Sequence, residues 1–273
     1  MSKKIATWVL GLLGILFMVP LVHLLLNSFM GASQINSETL SFIPESFDLQ
    51  QYYRIAMYKS QYFKFFFNSV KITGTIIGLQ LLISVTAAYA FAKLKFVGRN
   101  TLFAIYLMML ILPFQVTFVP NYLMMKKIEA LLSFQLLDTH LAIILPGVFS
   151  SLGVFLLRQF IMDIPDALIE AARIDGASEF KIFYQIILPT IRPAVITLLI
   201  LIFIDSWNVI EQAIVFIESA DKMPLSVFLE SIYYSDKEVF YAGAVLFVVP
   251  VLYLFNKFEK YLEDGFSIGG RIV

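Results

Sequence analysis

Five residues with ligand-binding chemistry interrupt an apolar stretch late in the chain: Asp205, Trp207, Asn208, Glu211 and Gln212. Carboxylates accept hydrogen bonds, amides donate and accept them, and an indole offers a flat face, so the set suits a polyhydroxylated ligand. An Asp at the centre of a membrane helix costs about 2.5 to 3.5 kcal/mol on insertion scales, which argues against a position facing lipid. On a continuous helix Asp205, Asn208 and Gln212 fall at i, i+3 and i+7 on one face, with Trp207 and Glu211 on a neighbouring one. Polar residues of these types also serve as glue between transmembrane helices, and both readings stand. Enzymatic chemistry has little support. The chain has no Cys and only His23 and His140, both near the ends of apolar stretches, so no catalytic residue, metal site or cofactor is expected.

A second set lies between apolar stretches. Glu170-Ala171-Ala172 is followed after three residues by Gly176, and after nine more by Ile186-Ile187-Leu188-Pro189. Ile164-Pro165-Asp166 suits a helix start, Pro165 presetting φ and Asp166 favouring the positive end of the helix dipole. Small residues Ala171 and Ala172 let another protein approach the backbone closely. Gly176 can end the helix at positive φ, and Phe180, Phe183, Tyr184 and Ile187 give the next helix an apolar stripe. Leu188-Pro189 stops that helix and sets up a turn past Arg192 and Pro193.

The elements that carry these residues follow from composition. With 59% hydrophobic residues, 15% charged residues and a mean hydropathy of +0.83, the main solvent of this chain is lipid. Six apolar stretches are each about long enough to cross a bilayer, at about residues 5 to 27, 65 to 92, 101 to 124, 139 to 161, 193 to 217 and 239 to 258. No run alternates with period 2, so a barrel is unfavoured and the fold class is all-α: a polytopic membrane protein of six transmembrane helices. The organisation divides into residues 1–64, one helix and an extramembranous segment, and residues 65–273, five helices with a connecting loop at 163–192. Lys3 and Lys4 ahead of an apolar run resemble a signal peptide, with Gly31-Ala32-Ser33 as a cleavage site. The run from Ile5 to Leu26 exceeds the usual length of a signal core, and an uncleaved helix is expected.

The spacing of Glu170, Ala171, Ala172 and Gly176 matches the EAA loop of ABC importer permeases. The resemblance extends to Phe67-Asn68-Ser69, Ala87-Ala88-Tyr89-Ala90-Phe91-Ala92, Ile111-Leu112-Pro113-Phe114-Gln115, Phe155-Leu156-Leu157-Arg158-Gln159-Phe160 and Ser206-Trp207-Asn208. These runs are similar to the maltose-type carbohydrate uptake permeases, specifically the shorter six-span partner of their heterodimer. The likeness covers about residues 60 to 273, including a tail Gly265-Phe266-Ser267-Ile268-Gly269-Gly270. It implies a subunit of an ATP-driven importer of a sugar or oligosaccharide. The implied partners are a cytoplasmic ABC ATPase dimer, a second homologous permease and an extracytoplasmic solute-binding protein, with no nucleic acid. Glu170, Ala171, Ala172, Gly176, Leu188 and Pro189 would couple to the ATPase. Nothing resembles G-x-x-x-x-G-K-[ST], so ATP would be hydrolysed by the partner and not by this chain. One departure bears on substrate: after Trp207-Asn208, Val209-Ile210-Glu211-Gln212 introduces a charge where many sugar permeases carry apolar residues. Importers of non-sugar solutes remain an alternative, as does an ion-coupled carrier, although a carrier has no need of an EAA loop.

Two further expectations concern the spans. Pro113 and Pro120, flanking Gln115 and Thr117, mark either a broken helix or a kink. Lys71 and Glu211 lie at similar depth from the outer ends of the second and fifth stretches, which would allow an ion pair.

Orientation follows from the basic residues. With the N-terminus inside, twelve Lys and Arg, among them Arg173, Lys181 and Arg271, fall on inner connections against seven on outer ones, among them Arg54, Lys59 and Lys222. The positive-inside rule then puts both termini and the 163–192 loop in the cytoplasm of a bacterial-type inner membrane. Outside lie aromatic-rich segments with Tyr52, Tyr53, Tyr58, Tyr62, Phe63, Tyr233, Tyr234 and Tyr241, read as an interfacial belt or a platform for a partner. The native lack of Cys allows a direct test. A cysteine replacing Ser178 is expected to resist an impermeant thiol reagent in intact cells while one replacing Ser235 reacts, and the opposite labelling would reverse the orientation.

Overall fold

The computed structural model describes residues 3–37, 42–58 and 60–269. The expectations placed on Lys59, Gly270 and Arg271 lie outside the described residues. Among those described, the chain is all-α with no strand. Among the described residues four helical runs are long and apolar enough to cross a membrane: Lys4–Asn27, Gln61–Lys93, His140–Met162 and Lys237–Tyr261. A fifth candidate is the pair Glu179–Thr190 and Arg192–Trp207, bent by 74°.

Not every one of the six apolar stretches is a single helix. The stretch at 101 to 124 is a helix Arg99–Met109, a short 3-10 turn Phe114–Thr117 and a helix Phe118–Leu132. Pro113 makes the break: it sits at φ −59°, ψ 134° just before the turn, outside helical geometry. Pro120 disturbs nothing, because it falls in the first turn of the next helix, where its missing N–H has no partner to lose. The stretch at 193 to 217 also divides, into Arg192–Trp207 and Glu211–Phe216.

The residues cluster into two compact units. The first comprises Met1–Phe67 and Leu225–Tyr253. Its core gathers Ile55, Tyr62, Phe65, Leu225, Phe228, Leu229, Val239 and Ala242. Phe65 stacks on Phe228 at 4.7 Å, and Tyr62 donates to the Gly243 carbonyl at 3.0 Å. Gly243 has to be small, since a Cβ there would lie 2.9 Å from Leu229 Cδ2. Arg54 joins the segment before the Ser60–Lys93 helix to the start of the last helix, with Nη2 2.7 Å from Asp236 and Nη1 3.0 Å from Glu238. The aromatic run divides by role: Tyr62 is a core residue at 2% exposure, Tyr52 bonds the Ser28 hydroxyl at 2.7 Å, and Tyr234 is 85% exposed.

The second unit comprises Asn68–Pro224 and Leu254–Val273. Small residues let its helices touch: a Cβ on Gly153 would fall 2.8 Å from Ser84 Oγ and 3.2 Å from Leu198 Cδ2. The connection after Leu132 is tied to the connection after Phe216 by Asp138, which takes a left-handed φ of 55°. Its N–H donates to Phe216 O at 2.8 Å, and its carboxylate accepts from the Glu218 and Ser219 amides, the Ser219 hydroxyl and Lys222 Nζ at 2.6 to 3.0 Å.

Lys222 first, then Ser219, hold the Asp138 carboxyl well below the usual carboxylate range. A depressed folded-state pKa contributes stability that is complete above the unfolded value of about 3.9 and is lost as pH falls through the folded one. Asn tolerates left-handed φ, so Asp138→Asn removes charge without straining the backbone. Thermal melts of the detergent-solubilised permease should show a loss of about 1.5 to 3 kcal/mol for this variant, constant from about pH 5 to 8 and shrinking below about pH 4. A difference that grows on acidification would contradict the latch.

Candidate functional site

The 163–192 segment is built as two short helices about a glycine. The first runs Asp166–Ile174, and Ile169 on its inner side is buried at 2% exposure. Gly176 sits at φ +81°, as a helix-ending residue there requires. The cap is a Schellman motif: Ala177 N–H bonds Ala172 O at 2.9 Å and Gly176 N–H bonds Arg173 O at 3.0 Å. Ser178 then caps the next helix, Glu179–Ile182. A wide π turn, Phe183–Ile187, follows and leads into Leu188–Thr190.

Leu188-Pro189 does not stop this helix as the sequence suggests. The wide turn just before it relaxes the ladder into which a proline ring would otherwise clash, so Pro189 rides on in the last turn. The chain bends instead at Ile191, by 74°.

The outward surface of the segment carries four large apolar side chains among charged ones. Leu168 is 49%, Ile174 86%, Phe180 77% and Tyr184 61% exposed. Phe180 and Tyr184 lie parallel, within 6°, with ring centroids 6.4 Å apart. Glu170 and Ala171 are exposed beside them, Ala172 and Leu188 are half-buried, and Gly176 and Pro189 are open to solvent. On the inner side Lys93 Nζ lies 2.7 Å from Asp166 Oδ1 and holds that carboxyl below its ordinary range.

The polar set of the fifth stretch is rearranged by its helix break. Asn208 turns its amide back onto Ile204 O at 2.7 Å, competing with the backbone at the helix end, and a new helix starts at Glu211. The continuous face through Asp205, Asn208 and Gln212 is therefore not formed, nor is the pairing of Trp207 with Glu211 on one turn. Trp207 is 1% exposed and stacks on Phe203 at 5.2 Å, which removes its ring as a free platform for a sugar. Asp205, Asn208 and Glu211 are exposed and Gln212 is half-buried.

Sequence reasoning missed the partner of Glu211. Gln115 Nε2 donates to Glu211 Oε2 at 3.3 Å, joining the residues that follow the two helix breaks. Their remoteness in sequence hid the contact, although both sit beside the departures from helix. Glu211 and Lys71 form no ion pair. Among the described residues no group of three His, Cys, Asp or Glu side chains could hold a metal.

Residues 80–267 match the family described as binding-protein-dependent transport system inner membrane component. Along 98% of both chains this protein is 33% identical to the arabinooligosaccharides transport system permease protein AraQ of Halalkalibacterium halodurans. It is 27% identical to the lactose transport system permease protein LacG of Rhizobium radiobacter, covering 94% of this chain and 92% of the other. A crystallised bacterial ABC transporter involved in the import of the acidic polysaccharide alginate has the same fold, with a TM-score of 0.82 at 21% identity over 96% of this chain and 98% of that one. The chain belongs to the binding-protein-dependent transport system inner membrane component family. It is a multi-pass, non-catalytic permease subunit of an ABC importer.

With Glu211 bonded to Gln115, Lys71 has no structural claim on it. The expected outcome is that Glu211→Leu lowers uptake and that adding Lys71→Met restores neither uptake nor permease abundance; recovery in the double variant would reinstate the ion pair.

Proposed function

We propose that this chain imports a sugar or oligosaccharide as one of two homologous permeases, driven by a cytoplasmic ATPase dimer and supplied by an extracytoplasmic solute-binding protein. Residues 65–273 are its transporter domain and 163–192 its coupling loop. The observation that carries the coupling reading is the exposed apolar surface of Leu168, Ile174, Phe180 and Tyr184 around the Gly176 turn. Side chains so apolar on a segment set apart from the long spans gain by burial against another protein, at roughly 25 cal/mol per Å². Glu170 beside them supplies a charge, and Ala171 and Ala172 allow close approach. The positive-inside bias puts this surface and both termini in the cytoplasm, where ATP is.

The sugar reading rests on relatives whose names specify arabinooligosaccharides and lactose, and on the exposed groups Asp205, Asn208 and Glu211 with Gln115. Such groups exchange hydrogen bonds with hydroxyls as water does, which lets a sugar pass without a deep binding well. Trp207 supports the path from behind as packing.

A conformational motor needs a contact that both binds and moves. Valine at left-handed φ costs about 1 to 2 kcal/mol, enough to weaken docking about tenfold. In the complete importer, Gly176→Val and Glu170→Arg are expected to lose the ATPase on affinity purification and to lose ATP-dependent uptake of labelled arabino-oligosaccharide or lactose, with the permease still inserted. Wild-type uptake by both variants would overturn the docking assignment, and retained docking with neither sugar transported would overturn the substrate class alone.

A further inference from the structure

The inner end of the Ser60–Lys93 helix grips the coupling segment at two places that neither the docking surface nor the transport path uses. Tyr89 Oη donates to Glu179 Oε2 at 2.6 Å, and its ring lies 5.3 Å from that of Phe183. One helical turn later, Lys93 Nζ donates to Ile164 O at 2.6 Å and to Asp166 Oδ1 at 2.7 Å. Between them the Phe91 carbonyl accepts from Arg158 Nε at 3.3 Å, which brings the end of the Ser151–Met162 helix to the same turn.

Two properties separate these contacts from ordinary surface pairs. Tyr89 is 6% exposed and the Lys93 side chain 7%, so both are largely covered by protein while their carboxylate partners stay open, Asp166 at 78% and Glu179 at 50%. They also bracket the coupling helix. Asp166 is its first residue and Glu179 begins the helix after Gly176, with Arg173 closing onto Glu179 at 2.8 Å. Attachment at one point leaves a hinge; attachment on both sides of Gly176 fixes orientation as well as position.

The covalent route out of the segment is softer. It passes through a π turn and a 74° bend at Ile191 before reaching the Arg192–Trp207 helix. Torque applied at the docking surface would be absorbed there, whereas the paired grips of Tyr89 and Lys93 pass it on. We propose that Tyr89 and Lys93 are positioning residues that yoke both arms of the coupling segment to the inner end of the Ser60–Lys93 helix, so that segment and helix end move as one body when nucleotide is bound. This rests on the docking reading above.

Spin labels on cysteines replacing Thr86 and Gln185, both exposed, report the relevant distance in the permease assembled with its ATPase. The expected result is one narrow distance distribution, the same without nucleotide and with ATP and vanadate. Adding Tyr89→Phe and Lys93→Met should leave the ATPase bound while the distribution broadens and shifts with nucleotide, and Lys93→Arg with Tyr89 retained should restore the parent behaviour. A nucleotide-dependent shift in the parent, a double variant indistinguishable from it, or loss of the ATPase from the double variant overturns the yoke. Gly176→Val is the control for docking: if that variant keeps the ATPase, the docking reading fails instead.

Discussion

A backbone amide in hydrocarbon has no water to turn to, so each departure from helix inside a membrane protein must be covered by the chain itself. This chain departs three times within stretches that composition alone would make continuous, after Met109, after Val148 and after Trp207. At the break after Trp207 the Asn208 side-chain amide adds a second bond to the Ile204 carbonyl, which also accepts the Asn208 N–H. Gln115 and Glu211 link the segments that follow the breaks after Met109 and Trp207. At the break after Val148, Ser150 accepts the Gly153 N–H at 3.0 Å where the helix restarts. Polar side chains in this protein thus stand beside the places where the helices break, and Asp205, Asn208 and Glu211 are exposed.

The 163–192 segment meets a different constraint. It presents apolar residues outward without collapsing onto its own protein. Burial of Ile169 at 2% exposure and of Ile182 and Ile187 at 0% holds the inner side down, so Leu168, Ile174, Phe180 and Tyr184 are left facing out. The Schellman turn at Gly176 sets the angle between the two arms, and Tyr89 and Lys93 hold the arms from below. Any residue with a Cβ at Gly176 would strain that angle.

Charge is used sparingly and is paired where it ties remote parts of the chain. In the first unit Arg54 reaches two carboxylates at once, and in the second Asp138 gathers an ammonium, a hydroxyl and two amides. Both draw together segments far apart in sequence, beside the buried residues Ile55 and Val239 in the first unit and Leu136 and Phe216 in the second. Surface ion pairs contribute little singly; a group that takes several charge-assisted bonds from a fixed backbone contributes more.

The sequence by itself determined that the protein is helical and membrane-embedded, because composition and apolar run length report the solvent directly. It also determined the glycine turn at 176 and its helix start at Asp166, since φ preference and helix-end chemistry are local properties carried by the residues concerned. Only the tertiary structure decided which polar residues meet. Gln115 and Glu211, Tyr89 and Glu179, and Lys93 and Ile164 are separated by 96, 90 and 71 residues, and side-chain periodicity carries no information over such distances. It likewise decided that Trp207 is packing, that Pro113 breaks its helix while Pro120 does not, and that Leu188-Pro189 continues a helix that local rules would end. Each outcome depended on what lay one turn before the residue or across from it, and that is a matter of packing.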